Sequence, residues 1–174
     1  TSDMSVEDAQ KLAENLGLQH SVIPIGDIYD SFSKGLEKEF KGKEKDITEE
    51  NLQSRCRGVI LMALSNKSGD LVLTTGNKSE TAVGYSTLYG DTAGGFGVLK
   101  DVPKTMVYEL SRYRNTISKV IPERIIDRPP TAELAPDQKD TDSLPDYDIL
   151  DKIIELYVEQ DKSKEEIVSL GVGN

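Results

Sequence analysis

From Thr75 to Asp91 the chain reads TGNKSETAVGYSTLYGD, which sets a hydroxyl, an amide, an ammonium and a carboxylate within a few positions of one another. The segment follows an apolar run, Leu71-Val72-Leu73, that reads as a buried strand over residues 71–74, and it opens where a helix should begin. A strand that ends in small and polar residues at a helix start is where open α/β sheets bind phosphates and nucleotides. Thr75 then stands at the carboxyl end of the strand, and Glu80 lies near the start of the helix, where a carboxylate can share a divalent cation with water and phosphate. The plainer reading has Thr75, Asn77 and Ser79 capping the helix, with Lys78 and Glu80 solvated, and spacing alone favours it.

Other residues carry weaker chemistry. Asn51 and Arg55 stand four apart on an expected helix and share a face, where a guanidinium beside an amide suits a carboxylate or phosphate; the alternative is a surface arginine beside a core stripe. Lys104 opens a helix, a position that ordinarily prefers acids, so a phosphate role competes with simple solvation. Asp91, after Gly90, can accept a proton or orient a nucleophile, or it can shape a turn. His20 has no partner in sequence and reads as structural or exposed. Cys56 reads as core. The acids Asp137, Asp140, Asp142, Asp146 and Asp148 lack calcium-loop spacing and read as solvated.

Elements must hold these residues in place. A first helix is expected over residues 6–16, with Ser5 and Asp8 as its cap pair and Gly17 as its stop. A short strand is expected over 21–25, then a helix from Asp27 carrying Ile28, Phe32, Leu36 and Phe40. A third helix over 48–64 has Leu52, Cys56, Val59, Ile60 and Ala63 as its stripe. Gly90, Gly94, Gly95 and Gly97 read as a flexible stretch. A helix over 104–118 aligns Met106, Leu110, Tyr113 and Ile117. Residues 127–146, rich in proline and acids, read as a long, mobile lid loop. A helix over 147–160 turns Leu150, Ile153, Ile154, Tyr157 and Val158 inward, and a short helix follows Ser163. This order implies right-handed crossovers and a parallel sheet. Two strands are too few for a stable doubly wound sheet, so further strands are expected upstream of Thr1, together with an apolar surface that needs a partner.

The composition narrows the function classes. The 174 residues suffice for one domain with a real core. The net charge of −10 argues against a nucleic-acid partner, and the longest apolar run, residues 59–64, is too short to span a bilayer, so no membrane partner is expected. One Cys and one His cannot build a disulfide or the usual zinc site, and they fit a reducing, cytoplasmic setting.

Several separated motifs resemble, in order, the synthetase domain of the NAD synthetase family. They are TSDMSVEDAQKLAENLG, ITEENLQSRCRGVILMALSN, LTTGNKSETAVGYSTLYGD, PKTMVYELSRYRN, IPERIIDRPPTAEL and DQKDTDSLPDYDILD. The Asp-Ser-Leu-Pro loop and Leu88 are more similar to the glutamine-dependent branch than to the ammonia-dependent one. The resemblance implies an α/β fold of the adenine nucleotide alpha hydrolase-like type, here a partial doubly wound parallel sheet with flanking helices, with residues 1–174 as part of one ligase domain. It implies an enzyme of NAD biosynthesis in which ATP adenylates deamido-NAD, pyrophosphate leaves, and ammonia, from glutamine or free, displaces AMP, with Mg2+ on the phosphates.

By motif position, Thr75, Lys104 and Thr131 would contact ATP. Asn51, Arg55, Glu80, Tyr85 and Leu88 would face deamido-NAD, Glu80 would also hold the metal, and Lys104 and Asp91 would be catalytic. Family members are dimers with deamido-NAD at the interface, so a homodimer or higher homo-oligomer is implied. The family's Ser-Gly-Gly-x-Asp-Ser pyrophosphate loop, its basic C-terminal segment and its amidase domain do not occur in these residues. The alternative expectation is therefore an inactive dinucleotide-binding or dimerisation fragment of such an enzyme. A GMP or asparagine synthetase is disfavoured by Asn-Lys-Ser-Glu and Tyr-Gly-Asp.

Overall fold

A computed structural model of the chain describes residues 2–172; Thr1, at the head of the first motif, lies outside them. The elements are α1 (Asp3–Leu16), α2 (Gly26–Phe40), α3 (Ile47–Ser68), β1 (Leu73–Thr74), α4 (Lys78–Ala82), β2 (Phe96–Gly97), α5 (Lys104–Ile117), α6 (Glu123–Asp127), α7 (Tyr147–Ile154) and α8 (Lys164–Ser169). The fold is α/β, with helices and one small parallel sheet in which Leu73 pairs with Phe96 and Thr74 with Gly97. The chain divides into two compact units, Thr1–His20 with Asn77–Tyr85 and Leu99–Asn174, and Ser21–Gly76 with Ser86–Val98.

In the first unit, α1 starts earlier than the periodicity predicts. Ser2, not the Ser5–Asp8 pair, is its cap, its Oγ accepting the Ser5 N–H at 3.3 Å. Asp8 is buried instead and accepts the Arg124 Nε–H at 2.9 and 3.1 Å. Gly17, at φ 65°, ends the helix in the left-handed conformation that glycine tolerates without strain. The expected loop of residues 127–146 is preceded by the short helix α6 and holds a 3-10 turn at Asp140–Asp142.

The stripe over residues 104–118 does not face inward: Met106, Leu110, Tyr113 and Ile117 are all exposed. The last expected stripe is broken for a local reason. After Ile154 the backbone winds as a π-helical turn, Glu155–Glu159, with the Gln160 N–H reaching back to the Glu155 carbonyl. A π turn takes more residues than an α turn, so the face shifts. Leu156 is buried, while Tyr157 and Val158 are exposed. Tyr147, Leu150 and Ile154 form the buried cluster, with Leu144 against it.

In the second unit, Asp46 caps α3, accepting from Thr48 N–H at 2.8 Å, and Glu49 completes the capping box. The buried residues of α3 are Cys56 and, on another face, Ser54 and Gly58, whereas Val59 and Ala63 of the expected stripe are exposed. Small residues are needed there because a chain turn presses on the helix: a Cβ on Gly58 would stand 2.6 Å from the Tyr89 carbonyl oxygen. The strand expected over residues 21–25 is irregular chain, with Val22 and Ile23 exposed; Pro24 has no N–H for a ladder. The second strand lies instead in the stretch expected to be flexible. Gly94 and Gly95 let that backbone approach β1, where a Cβ on Gly94 would come within 2.7 Å of Thr74 Cγ2, and the Gly95 N–H donates to the Val72 carbonyl at 2.9 Å.

Two predictions follow from this packing. Gly58→Ala should lower the stability of the chain by about 1–3 kcal/mol through overpacking, read as a fall in the urea midpoint at constant slope. The second concerns Glu133. Burial pushes its carboxyl up, but hydrogen bonds from Ser5 and Ser2 and the charge of Arg128 outweigh this and hold it below the ordinary carboxylate range. A carboxyl held low in the folded state stabilises above its unfolded value, about 4.3, and that stability is lost as pH falls through the depressed folded value. Acidification through that window should therefore release the chain around Glu133 from the N-terminus of α1, seen as a loss of amide-exchange protection, relative to the intrinsic rate at each pH, for Ser2, Ser5 and Glu133, and Glu133→Gln should show the same loss of protection at neutral pH.

Candidate active site

The first unit brings Glu80 and Lys104 together. Asn77 caps α4, accepting from the Glu80 N–H at 3.0 Å, while one Glu80 oxygen accepts the Asn77 N–H at 3.3 Å. The capping reading of this segment is therefore correct for Asn77, whereas Glu80, read there as solvated, closes the capping box. It is not the whole account, because the other Glu80 oxygen lies 3.3 Å from the Lys104 ammonium, with the side chains only 20% and 19% exposed. The ammonium also lies 5.4 Å from the Tyr147 ring centre and 5.9 Å from that of Tyr108, over faces that attract a cation. Lys78 is not solvated either: it pairs with Asp101 at 3.0 Å and with Glu159.

Helix α5 begins after Pro103, which has no side chain to cap it. Its first N–H groups are satisfied from other helices. The Lys104 N–H donates to Ser79 Oγ at 2.8 Å, and the Thr105 N–H and hydroxyl donate to Asp151 Oδ2 at 2.9 and 2.8 Å. The Ser79 hydroxyl, fully buried, donates to the other oxygen of Asp151. A carboxylate at a helix N-terminus also meets the positive end of the helix dipole.

Tyr85 donates its hydroxyl to Asp140 Oδ1 at 3.2 Å, and Tyr147 donates to Asp140 Oδ2 at 2.7 Å. Asp140 is 3% exposed, so of the acids read as solvated this one is buried, while Asp137, Asp142, Asp146 and Asp148 are exposed. Burial pushes the Tyr147 hydroxyl far above the usual tyrosine range, and Asp140 and the nearby Glu80 charge add to it. Tyr147 thus stays a donor at any physiological pH. Thr131 holds the Glu133 N–H at 3.0 Å and borders a shallow cavity of about 400 Å³ with Arg128 and Lys139.

The second unit gathers Asn51, Arg55, Leu88 and Asp91. The Thr87 hydroxyl donates to Asn51 Oδ1 at 2.8 Å, and Arg55 Nε–H donates to the Leu88 carbonyl at 3.2 Å. Asp91 accepts the Thr87 N–H with both oxygens at 3.0 Å, and its own N–H donates to Ser54 Oγ at 3.0 Å. Asp91 therefore shapes a turn, and that turn carries Tyr89 at φ 63°, a strained value for a tyrosine. Asn51 and Arg55 hold the turn through its hydroxyl and carbonyl, and Arg55 is exposed. Thr75 follows β1 and is exposed. Cys56 is buried, and burial pushes its thiol up, which makes it inert. His20 is exposed.

The residues that sequence missed are Asp151, Asp140, Tyr147, Thr105 and Thr87. Only Asp151 left a signal, as an acid in a segment that also held apolar residues at helical spacing. Among the described residues no group of three or more His, Cys, Asp or Glu could hold a metal. A magnesium ion carried by a nucleotide needs no such cage, since one carboxylate with phosphate oxygens and waters suffices, and each Glu80 oxygen keeps a free lone pair. Glu80 thus fits the role of a single carboxylate ligand.

The family described as NAD synthase matches residues 1–173. The chain is similar to the glutamine-dependent NAD(+) synthetase of Acinetobacter baylyi, 58% identical over 98% of this chain and 32% of the relative. It is similarly related to that of Thermotoga maritima, at 57% over 98% of this chain and 30% of the relative. A solved structure of the glutamine-dependent NAD+ synthetase from Acinetobacter baumannii in complex with adenosine diphosphate superposes with a TM-score of 0.73 at 50% identity, covering 98% of this chain and 30% of that one. The chain thus spans about a third of the length of these relatives. Motif order, fold and the match over nearly every residue agree, and the chain belongs to the NAD synthase family.

Proposed function

We propose that this chain forms part of the ligase domain of a glutamine-dependent NAD synthetase, and that the longer protein amidates deamido-NAD to NAD. The observation that carries the proposal is the partly buried Glu80–Lys104 pair, set at the starts of two helices in a chain of this family. The deamido-NAD carboxylate attacks the α-phosphorus of ATP, the bond to the bridging oxygen breaks and pyrophosphate leaves. Ammonia, supplied from glutamine, then attacks the acyl carbon, AMP departs with the bonding electrons, and the nitrogen sheds a proton.

Within this reaction Lys104 offers the phosphates an ammonium with donors to spare beyond Glu80. It is partly shielded from water, which strengthens its attraction for a phosphate. Glu80 is the residue that would hold Mg2+, and the cation when bound would neutralise charge on the departing phosphates. Thr75 and Thr131 offer hydroxyls to ATP. Arg55, with Asn51, Tyr85 and Leu88, recognises deamido-NAD, and Asp91 takes the proton from the incoming ammonia. We further propose a cytoplasmic homodimer or higher homo-oligomer; among the described residues no helix is long and apolar enough to cross a membrane. The present chain alone is proposed to retain dinucleotide binding without turnover, since catalysis belongs to the longer protein.

The test is to supply the full-length protein with deamido-NAD, ATP, Mg2+ and glutamine and to follow NAD, AMP and pyrophosphate, which should form in equal amounts. Glu80→Gln should slow pyrophosphate release by about 10²-fold, the scale of losing one charge-stabilising group, with a far smaller effect on thermal stability. An unchanged rate at saturating Mg2+ refutes the metal role. For the present chain, calorimetry should show deamido-NAD binding that Arg55→Ala abolishes.

A further inference from the structure

We propose that Asp151 is a positioning residue that fixes the Glu80–Lys104 pair, acting through Ser79 and Thr105 rather than touching substrate; this rests on the ligase reading above. Helix α5 has no cap of its own after Pro103. Its start is located by Asp151, which accepts the Thr105 N–H at 2.9 Å and hydroxyl at 2.8 Å with one oxygen and the Ser79 hydroxyl with the other. Ser79 in turn accepts the Lys104 N–H at 2.8 Å.

The two functional side chains stand next to these bonds in sequence. Glu80 follows Ser79 directly, and Lys104 both donates to Ser79 and precedes Thr105. Three helices, α4, α5 and α7, pack on one another around this point. The 3.3 Å separation of ammonium and carboxylate therefore depends on a chain of bonds, Lys104 N–H to Ser79 Oγ, Ser79 hydroxyl to Asp151 and Thr105 N–H to Asp151, that ends on the Asp151 carboxylate. Ser79, being fully buried, cannot replace that acceptor with water. Asp151 itself is partly exposed and is bonded on both oxygens, so it holds the site without offering itself to a ligand.

A misplacement of about 1 Å in a charge-stabilising group costs up to about 10²-fold in rate. In the full-length protein, Asp151→Ala should lower kcat for pyrophosphate release about 10- to 100-fold while KM for ATP changes less than about threefold. Asp151→Asn keeps an oxygen for both Thr105 bonds but turns an amide N–H toward Ser79, whose hydroxyl loses its acceptor, so it should recover kcat in part, to a level between Asp151→Ala and wild type. If Asp151→Ala does not fold, Ser79→Ala, which removes both the acceptor of the Lys104 N–H and the hydroxyl that donates to Asp151, should give the same split between kcat and KM. A wild-type kcat in Asp151→Ala, or in Ser79→Ala where that is the variant used, overturns the positioning role, as does a loss in Asp151→Asn equal to that in Asp151→Ala. A wild-type protein that makes no NAD overturns instead the ligase reading, and this proposal with it.

Discussion

The N-terminus of α5 sets the terms for the unit that contains it. A helix that starts after proline leaves its first N–H groups without a side-chain cap, and a buried N–H left unpaired costs about 1–3 kcal/mol. Here Ser79 of α4 and Asp151 of α7 pair with the Lys104 and Thr105 N–H groups. Because the acceptors come from two other helices, satisfying α5 also fixes where α4 and α7 lie. One carboxylate, at the positive end of a helix dipole and holding three donors, thereby joins local helix chemistry to tertiary packing. The Glu80–Lys104 pair is a by-product of that geometry: two charges brought together because their backbones are pinned.

A steric constraint rules the other unit. Residues 87–91 form a turn that rests on α3, and the helix meets it with Ser54 and Gly58. Asn51 and Arg55, on the same helix, hold the turn by its Thr87 hydroxyl and Leu88 carbonyl. The turn carries a left-handed Tyr89, and such strain persists only where the surroundings over-determine it. Asp91, bound by the Thr87 N–H, supplies much of that determination. The two-stranded sheet is a modest element by comparison. Leu73 and Phe96 on it are more than half exposed, and a two-stranded pairing is marginal without further cover.

The sequence determined most of the helices and several of their stops, though not α6 or the cap of α1. Capping residues such as Asp46, Asn77 and Ser163, and stops such as Gly17, act within a few positions of themselves, so their meaning survives without knowledge of the fold. It determined the family as well, because several motifs in fixed order are informative even when each is short. It also brought Glu80 and Lys104 forward, one as the third residue of a helix and the other as an unlikely first residue of the next.

Only the tertiary structure decided which acids are buried and what they hold. Asp151 meets Thr105 across 46 positions and Ser79 across 72, and no local pattern encodes such a pairing. Asp140 looked like its acidic neighbours and is distinguished only by the two phenols that reach it. The stripe on α5 failed as a guide because periodicity shows that a face is apolar, not that something covers it. The strand at residues 96–97 was hidden among glycines, since what makes it a strand is the close approach of β1, which depends on the absence of side chains rather than on their pattern. Burial and long-range hydrogen bonding are properties of the packed chain, and they are what turn a plausible helix start into a site.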